Sequence, residues 1–327
     1  MHEVLTSVDP QKSGAQVRLI DVLGRASTTA PDRFADHPLI EAQIHEMLFD
    51  VYNKLSLWGE ARASAERART IYERARGRDD PATLRSEFHV ISATINLSRM
   101  GEAEPALAAL APRLESVLGP DDPATLRARM AKAVIDRQRG KVDDAEQALK
   151  ALRDHPGLAT DHATLAHIAQ ALYRISWQRR PLRPGPARQE SIPPLEALAQ
   201  DWANHARLAD GADSPDALRA EVALAELAGE RDDWTAAAAR CRSLLARTKD
   251  HLGDCHHVRQ QAMGFLAVAL ARTGETEQPA EWSSRALECA KASGAAPLEV
   301  LSFMDDALCF LAVAGRAKEG EAISREA

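Results

Sequence analysis

GRDDPATLR, at residues 77–85, recurs almost unchanged as GPDDPATLR at residues 119–127. The two stretches differ only at their second position, and they begin 42 residues apart. A fixed period of this size is typical of proteins built from repeated supersecondary units. The sequence therefore predicts a repeat array, and the repeated stretch marks where one unit meets the next.

The repeated stretch joins a signal that ends one helix to a signal that begins the next. Gly77 suits the left-handed backbone conformation that often follows a helix C-terminus. Asp80 can cap the next helix, and Pro81 fits its first turn, where a missing N–H costs nothing. The second copy places the same residue types at Gly119, Asp122 and Pro123. Each copy therefore predicts a junction between two helices.

Weaker junctions occur at similar spacing elsewhere, beginning at Asp36, Asp161, Asp213, Leu252 and Ala296. Each is followed by an apolar-periodic segment, a short polar turn and a second periodic segment. This order is expected for two helices in each unit of about 40 residues. It predicts an all-α fold, an α-solenoid of about six to seven antiparallel helix pairs.

One interval breaks the period, because the starts at residues 163 and 215 lie 52 residues apart. The excess maps to residues 179–194, which are rich in Pro and Arg and are predicted to form an insertion loop. The remaining chain is divided into an N-terminal capping helix at 1–35, repeats one to four at 36–178 and repeats five to seven at 195–327.

The composition narrows the class of protein. Hydrophobic residues make up 45% of the chain and aromatic residues 4%, which favours closely packed helices. The net charge is −7 with both signs interspersed, so we expect no nucleic-acid partner, since nucleic acids require clustered positive charge. No apolar stretch approaches the ~20 residues of a membrane span, and no signal peptide is evident. We expect a cytoplasmic protein with no membrane partner.

The sequence contains no convincing catalytic or metal-binding motif. The Cys-His-His run at residues 255–257 resembles a metal site, but adjacent residues on a helix point about 100° apart and do not converge on one ion. No P-loop or G-x-S-x-G motif occurs. The four cysteines show no C-x-x-C spacing and are expected to be reduced thiols. We therefore predict no catalytic residue, no metal and no cofactor, and a protein that is not an enzyme.

The junctions also carry a resemblance to a known family. LGPDDPATL at residues 118–126, followed by GKVDDAE at residues 140–146, resembles the tetratricopeptide repeat (TPR) in its kinesin-light-chain-like form. The resemblance covers about residues 36–327. The segments at residues 4–10 and 34–38 are similar to the stretch that precedes such repeats at the C-terminus of bacterial serine/threonine kinases.

The resemblance implies a right-handed superhelix whose concave face holds a partner protein or peptide. First-helix side chains line that face, and here they include Gln43, Glu46, Asp50, Asn53, Arg127 and Arg137. We expect a non-enzymatic protein–protein interaction scaffold. The alternative is the regulatory or sensory region of a bacterial signalling protein, a serine/threonine kinase or a winged-helix regulator, that lacks its output domain.

One departure from the family concerns how a peptide would be held. Peptide-binding members carry an Asn about nine residues before the turn glycine, which grips the backbone of the bound peptide. The corresponding positions in this chain are Met47, Ser92, Ala131, Ala223 and Phe265. We therefore expect side-chain complementarity with a folded or helical partner in place of an Asn clamp.

Overall fold

The computed structural model describes residues 23–25, 27–30, 34, 36–54, 57–183, 185–249, 252–253, 255–293 and 297–326. All regular secondary structure in these residues is helical, and none of them lies in a strand. The predicted capping helix over 1–35 falls mostly outside the described residues, although 23–25 and 27–30 are helical.

The chain divides into two compact units, the first ending at Gly157 and the second beginning at Leu158. Six described α-helices form the first unit: α1 (Pro38–Lys54), α2 (Trp58–Arg76), α3 (Pro81–Asn96), α4 (Met100–Leu118), α5 (Pro123–Gln138) and α6 (Val142–Arg153). A short 3₁₀ helix, Pro156–Leu158, follows at the boundary.

Nine described α-helices form the second unit: α7 (His162–Arg179), α8 (Pro186–Glu190), α9 (Ile192–Asp210), α10 (Pro215–Glu230), α11 (Trp234–Arg247), α12 (His257–Arg272), α13 (Glu277–Ser293), α14 (Pro297–Val313) and α15 (Ala317–Glu326).

The long helices form consecutive pairs, three in the first unit and four in the second, and within each unit each long helix packs against the next. The first helices of successive pairs also contact each other, as α1 contacts α3 and α12 contacts α14. Each unit therefore presents a face built from first helices. The predicted all-α architecture of about six to seven antiparallel helix pairs is confirmed for the described residues.

The junctions form as the repeated stretch predicts. The Asp80 carboxylate accepts a hydrogen bond of 2.9 Å from the Ala82 N–H, and Asp122 accepts one of 2.8 Å from Ala124. Gly77 adopts φ 96° and ψ 167°, a positive-φ extended conformation and not the left-handed helical one that the sequence suggests. Glycine alone adopts this conformation readily, so the position requires glycine although the conformation differs from the expected one.

Small apolar side chains fill the space between the helices. In the second pair of the first unit, Leu107, Leu110 and Leu114 of α4 are buried against Leu84 of α3. Alanines occupy many of the remaining core positions, so neighbouring helices can approach closely. This explains how the protein builds its core with few aromatic residues.

The predicted insertion loop over 179–194 is largely helical in the structure. Helix α7 ends at Arg179, while α8 begins at Pro186 and α9 at Ile192. Pro193 and Pro194 lie in the first turn of α9, where proline removes no intrahelical hydrogen bond. The insertion therefore separates the two helices of the fourth pair, α7 and α9, and does not divide one block of repeats from the next.

The insertion is also anchored to the core of the second unit. Both Arg188 Nε and Arg188 Nη2 donate hydrogen bonds of 2.7 Å to the Glu230 carboxylate. Arg180 stacks its guanidinium on the ring of Trp177, 3.7 Å from the ring centroid, and also pairs with Glu230. Bidentate pairs of this kind fix geometry strongly.

The expectation of reduced cysteines is wrong for one pair. Cys255 and Cys289 form a disulfide between the turn before α12 and the last part of α13. Their Cα atoms lie 4.6 Å apart although the residues are 34 positions apart in the sequence. Spacing alone could not reveal this contact, because it arises when α13 folds back along α12. Cys241 and Cys309 are free thiols.

Replacing Asp122 tests the junction. Asp122→Ala should lower the free energy of unfolding of the first unit by about 1 kcal/mol, because the Ala124 N–H loses its acceptor. Asp122→Asn is the matched control and should cost only a few tenths, since Asn caps helices equally well. Urea unfolding followed by far-UV circular dichroism measures both. Equal losses in the two variants would contradict the capping role.

Candidate functional site

The four predicted residues of α1 lie at helical spacing, at positions 43, 46, 50 and 53, and so share one face. They differ in what they contact. Glu46 is half-buried and accepts hydrogen bonds from the Tyr72 hydroxyl at 2.9 Å and from the Ser86 hydroxyl at 3.3 Å. Glu46 therefore ties α1 to α2 and α3. Gln43 and Asp50 are exposed on this face.

Asp50 and Arg127 belong to one electrostatic neighbourhood in the first unit. Although the Asp50 side chain is exposed, partial desolvation of its carboxyl by neighbouring atoms raises its pKa, while the positive charges of Lys54 and Arg127 act in the opposite direction. His89 of α3 joins them: its ring stacks on Phe49 with 4.3 Å between centroids. Burial, together with the charges of Arg127 and Arg85, lowers the pKa of His89 to about 4.

In the first unit Asp50 and Arg127 lie within electrostatic reach of each other, and sequence reasoning missed two residues near Arg127, Arg85 and His89. Arg85 and His89 lie on α3, the first helix of the second pair. The apolar periodicity of this segment already predicts a helix with one outward face. Arg85, His89 and Arg127 line a small cavity of about 100 Å³. Asn53 and Arg137 are half-buried elsewhere on this set of helices.

The second unit contains a larger groove on its own first-helix face. Its volume is about 380 Å³, and α7, α10, α12 and α14 all contribute side chains to its lining, with Trp202 added from α9. The aromatic and charged members of the lining are Tyr173, Trp202, Phe265, Phe303, Arg174, Arg219, Glu226 and Asp306. No residue of this groove was among the predicted site residues.

Aromatic rings form much of the groove wall. Tyr173 and Trp202 lie with 6.1 Å between their ring centroids. Phe303 packs directly against the backbone of α12 at Gly264, where an added Cβ would meet the Phe303 Cε1 atom at 2.8 Å. Gly264 is thus required for the close approach of this ring. The wall thus combines aromatic rings with charged side chains, two Arg and two acidic residues.

Three hydrogen-bond donors on residues that line this groove are shielded from solvent and have no partner within the described part of the chain: Tyr173 Oη, Trp202 Nε1 and Arg219 Nε. Tyr173 is only 6% exposed and Trp202 only 4%. Arg219 is held through its Nη2 atom, which donates to Asp216 Oδ1 at 3.1 Å. Buried polar groups are nearly always hydrogen-bonded, so three such donors in one groove call for an explanation.

Glu226 of α10 also lines this groove. Burial raises the pKa of its carboxyl to about 7; the Arg180 charge opposes this effect and the Glu230 charge adds to it. The nearby charge of Glu226 also contributes to raising the pKa of the Tyr173 hydroxyl. The groove therefore contains a carboxyl group that is partly protonated near neutral pH.

The sequence motif Cys255-His256-His257 is explained by the fold. The His256 side chain caps α12 by accepting from the Val258 N–H at 3.4 Å, and Cys255 is in the disulfide. Among the described residues, no group of three or more His, Cys, Asp or Glu side chains is arranged to hold a metal ion. Likewise, no described helix is long and apolar enough to cross a membrane.

Comparisons with known proteins give no match to a protein-family model or to a curated protein. Solved structures do share the fold. The apo form of the quorum sensor NprR from B. thuringiensis is 11% identical, with a TM-score of 0.65 over 94% of this chain and 81% of that chain. The apo form of RapI is also 11% identical, with a TM-score of 0.58 over 88% and 77%. These similarities confirm the TPR-like fold and, at this identity, the fold alone.

The raised pKa of Glu226 makes the stability of the second unit depend on pH. The folded state holds the Glu226 proton more tightly than the unfolded chain, whose pKa is near 4.5. The proton on Glu226 therefore stabilises the folded state fully below pH ~4.5. As the pH rises through ~7 this stabilisation is lost, and the free energy of unfolding falls by about 3 kcal/mol in total. Glu226→Gln should remove this decline and stabilise the protein at pH 8.

Unfolding in urea, followed by tryptophan fluorescence, measures the effect, since four of the five tryptophans lie in the second unit. Glu221→Gln on the same helix is the control and should keep the decline, because Glu226 is still present. An unchanged pH profile in Glu226→Gln would show that this carboxyl is not responsible.

Proposed function

We propose that this protein is a non-enzymatic interaction module that binds a segment of a partner protein, or a peptide, on its first-helix face. The groove of the second unit is the main site. One observation carries the proposal: side chains from the first helices of four successive pairs converge on one groove lined by aromatic rings and by charged side chains of both signs.

The energetics of the groove favour binding. The aromatic wall offers apolar surface that a side chain of the partner can cover. Since the wall is held by packing between helices, little ordering is needed on association.

The described lining of the groove includes no Ser, Cys, Thr, Lys or His side chain, and its acid–base groups are the carboxyls of Glu226 and Asp306 and the hydroxyl of Tyr173. The fold likeness to a quorum sensor, NprR, agrees with a regulatory role. On the first unit, the exposed Gln43 and Asp50, together with Arg127, form our proposed second contact surface for a protein or peptide partner.

A groove-filling variant tests the proposal. Val268 is half-buried in the groove wall, and Val268→Trp should occupy the space that a bound segment requires. Heptapeptides selected from a phage-displayed library on the wild-type protein should bind Val268→Trp at least about tenfold more weakly, since a filled pocket removes the central contacts. Isothermal titration calorimetry with the synthetic heptapeptides measures the change.

Leu208→Trp is the matched control, because Leu208 is 66% exposed on α9 and does not line the groove. It should bind the selected heptapeptides as the wild type does, and both variants should keep wild-type helicity. Equal binding by Val268→Trp and Leu208→Trp would exclude the groove as the site. Failure of the selection to enrich any heptapeptide would count against peptide binding itself.

A further inference from the structure

We propose that the groove of the second unit recognises a basic segment, in which Lys or Arg side chains pair with the carboxyl groups of Glu226 and Asp306. This inference rests on the proposed function and adds which side chains the partner presents. It specifies the side-chain complementarity that we expect in place of an Asn clamp.

The acidic groups of the groove differ from its basic groups in what they contact. Arg219 donates to Asp216 at 3.1 Å, and Arg174 also interacts with another group of the protein. Within the described part of the chain, by contrast, the carboxyl groups of Glu226 and Asp306 make no hydrogen bond or ion pair. The positive charges of the groove are therefore engaged, while its negative charges are available to a ligand.

A ligand can reach both carboxyl groups. Glu226 and Asp306 line the groove, and each is only partly buried. The polar atoms that are shielded from solvent and lack a partner include Tyr173 Oη and Trp202 Nε1, but no oxygen of Glu226 or Asp306. Because these carboxyl oxygens have no partner and are not shielded, they remain in contact with solvent, which an incoming cation can replace.

The surroundings of Glu226 do not neutralise its charge. The described groups in electrostatic contact with it are Arg180, Glu230, Tyr173 and Cys241. Arg180 is the cation among them, and it pairs with Glu230 at 3.6 Å. Burial outweighs the opposing Arg180 charge and raises the pKa of Glu226 to about 7, so a cation from the partner would stabilise its ionised form.

An aromatic ring lies near each carboxyl group. Glu226 is one turn before Gly229 on α10, where an added Cβ would meet the Phe265 ring at 3.1 Å. Asp306 is one turn after Phe303 on α14, and both residues line the groove. Residues three apart on a helix are neighbours on its surface. The face of an aromatic ring attracts a cation, and the methylene groups of Lys or Arg can cover the ring.

A basic segment fits these surroundings better than an acidic or a neutral one. An acidic side chain would be repelled by the ionised carboxylates, and a neutral one would leave them without a counter-charge. Glu226 is on α10 and Asp306 on α14, and both helices contact α12. The expected segment therefore carries basic residues on both sides of an apolar residue, which lies against Phe265 and Phe303.

Norleucine substitution in the selected heptapeptides tests the inference. Lys or Arg should be enriched in these heptapeptides relative to the unselected library. Replacing a basic residue by norleucine, which keeps an aliphatic chain without the charge, should weaken binding to the wild type about tenfold at pH 8. The loss at one basic position should disappear in Glu226→Gln and the loss at another in Asp306→Asn, because each variant removes the charge but keeps the size of the side chain. Isothermal titration calorimetry measures these losses.

Glu221→Gln is the matched control, because Glu221 lies on the same helix as Glu226 but outside the groove lining, where it pairs with Arg247. The norleucine losses should persist in it. A second measurement follows the proton on Glu226: at pH 7 the basic heptapeptide should release part of this proton, since a cation favours the ionised carboxyl. Calorimetry in two buffers of different ionisation enthalpy detects the release, which Glu226→Gln should abolish and Asp306→Asn should retain.

The outcomes separate this inference from the proposed function. If Val268→Trp blocks binding but every norleucine loss persists in Glu226→Gln and Asp306→Asn, the pairing with these carboxyl groups is wrong while the groove stands as the site. Selected heptapeptides without an excess of Lys or Arg would also overturn the inference. If Val268→Trp binds normally, the groove itself is wrong and the inference falls with it.

Discussion

Each helix pair in this protein depends on its neighbours, because two helices alone cannot cover their own apolar surface. Within each unit, a pair buries its alanines and leucines against the pair before and the pair after. The junctions make this possible because they end one helix and start the next within a few residues. The groove and the small cavity are consequences, since first helices that contact each other share a face.

The sequence was sufficient to predict the fold because the determinants of the fold are local. Gly77, Asp80 and Pro81 act within four or five residues of themselves, and their effects repeat with the period. Proline density predicts a loop over the whole of 179–194, whereas α8 begins at Pro186 and α9 at Ile192. The first turn of α9 accommodates Pro193 and Pro194 without losing a hydrogen bond, and the Glu230 carboxylate that anchors Arg188 lies 42 residues away.

The candidate site could be predicted only in part. Helical spacing was enough to place Gln43, Glu46, Asp50 and Asn53 on one face. It could not show that Glu46 is engaged by Tyr72 and Ser86 from two other helices. The sequence does not predict the groove of the second unit, because sequence spacing does not show which side chains are buried or which polar atoms lack partners. Trp202 and Tyr173 look like ordinary core aromatics in the sequence, and only the absence of acceptors around them in three dimensions sets them apart.

The disulfide between Cys255 and Cys289 has a consequence for how the second unit comes apart. In a repeat array, unfolding can begin at any pair, because stability is distributed among nearest-neighbour interfaces. A cross-link that closes a loop of 34 residues restricts the unfolded chain and adds about 4 kcal/mol to the pair that contains it. Local unfolding that starts at α15 should therefore stop at the α12–α13 pair. The helices N-terminal to this pair then stay folded.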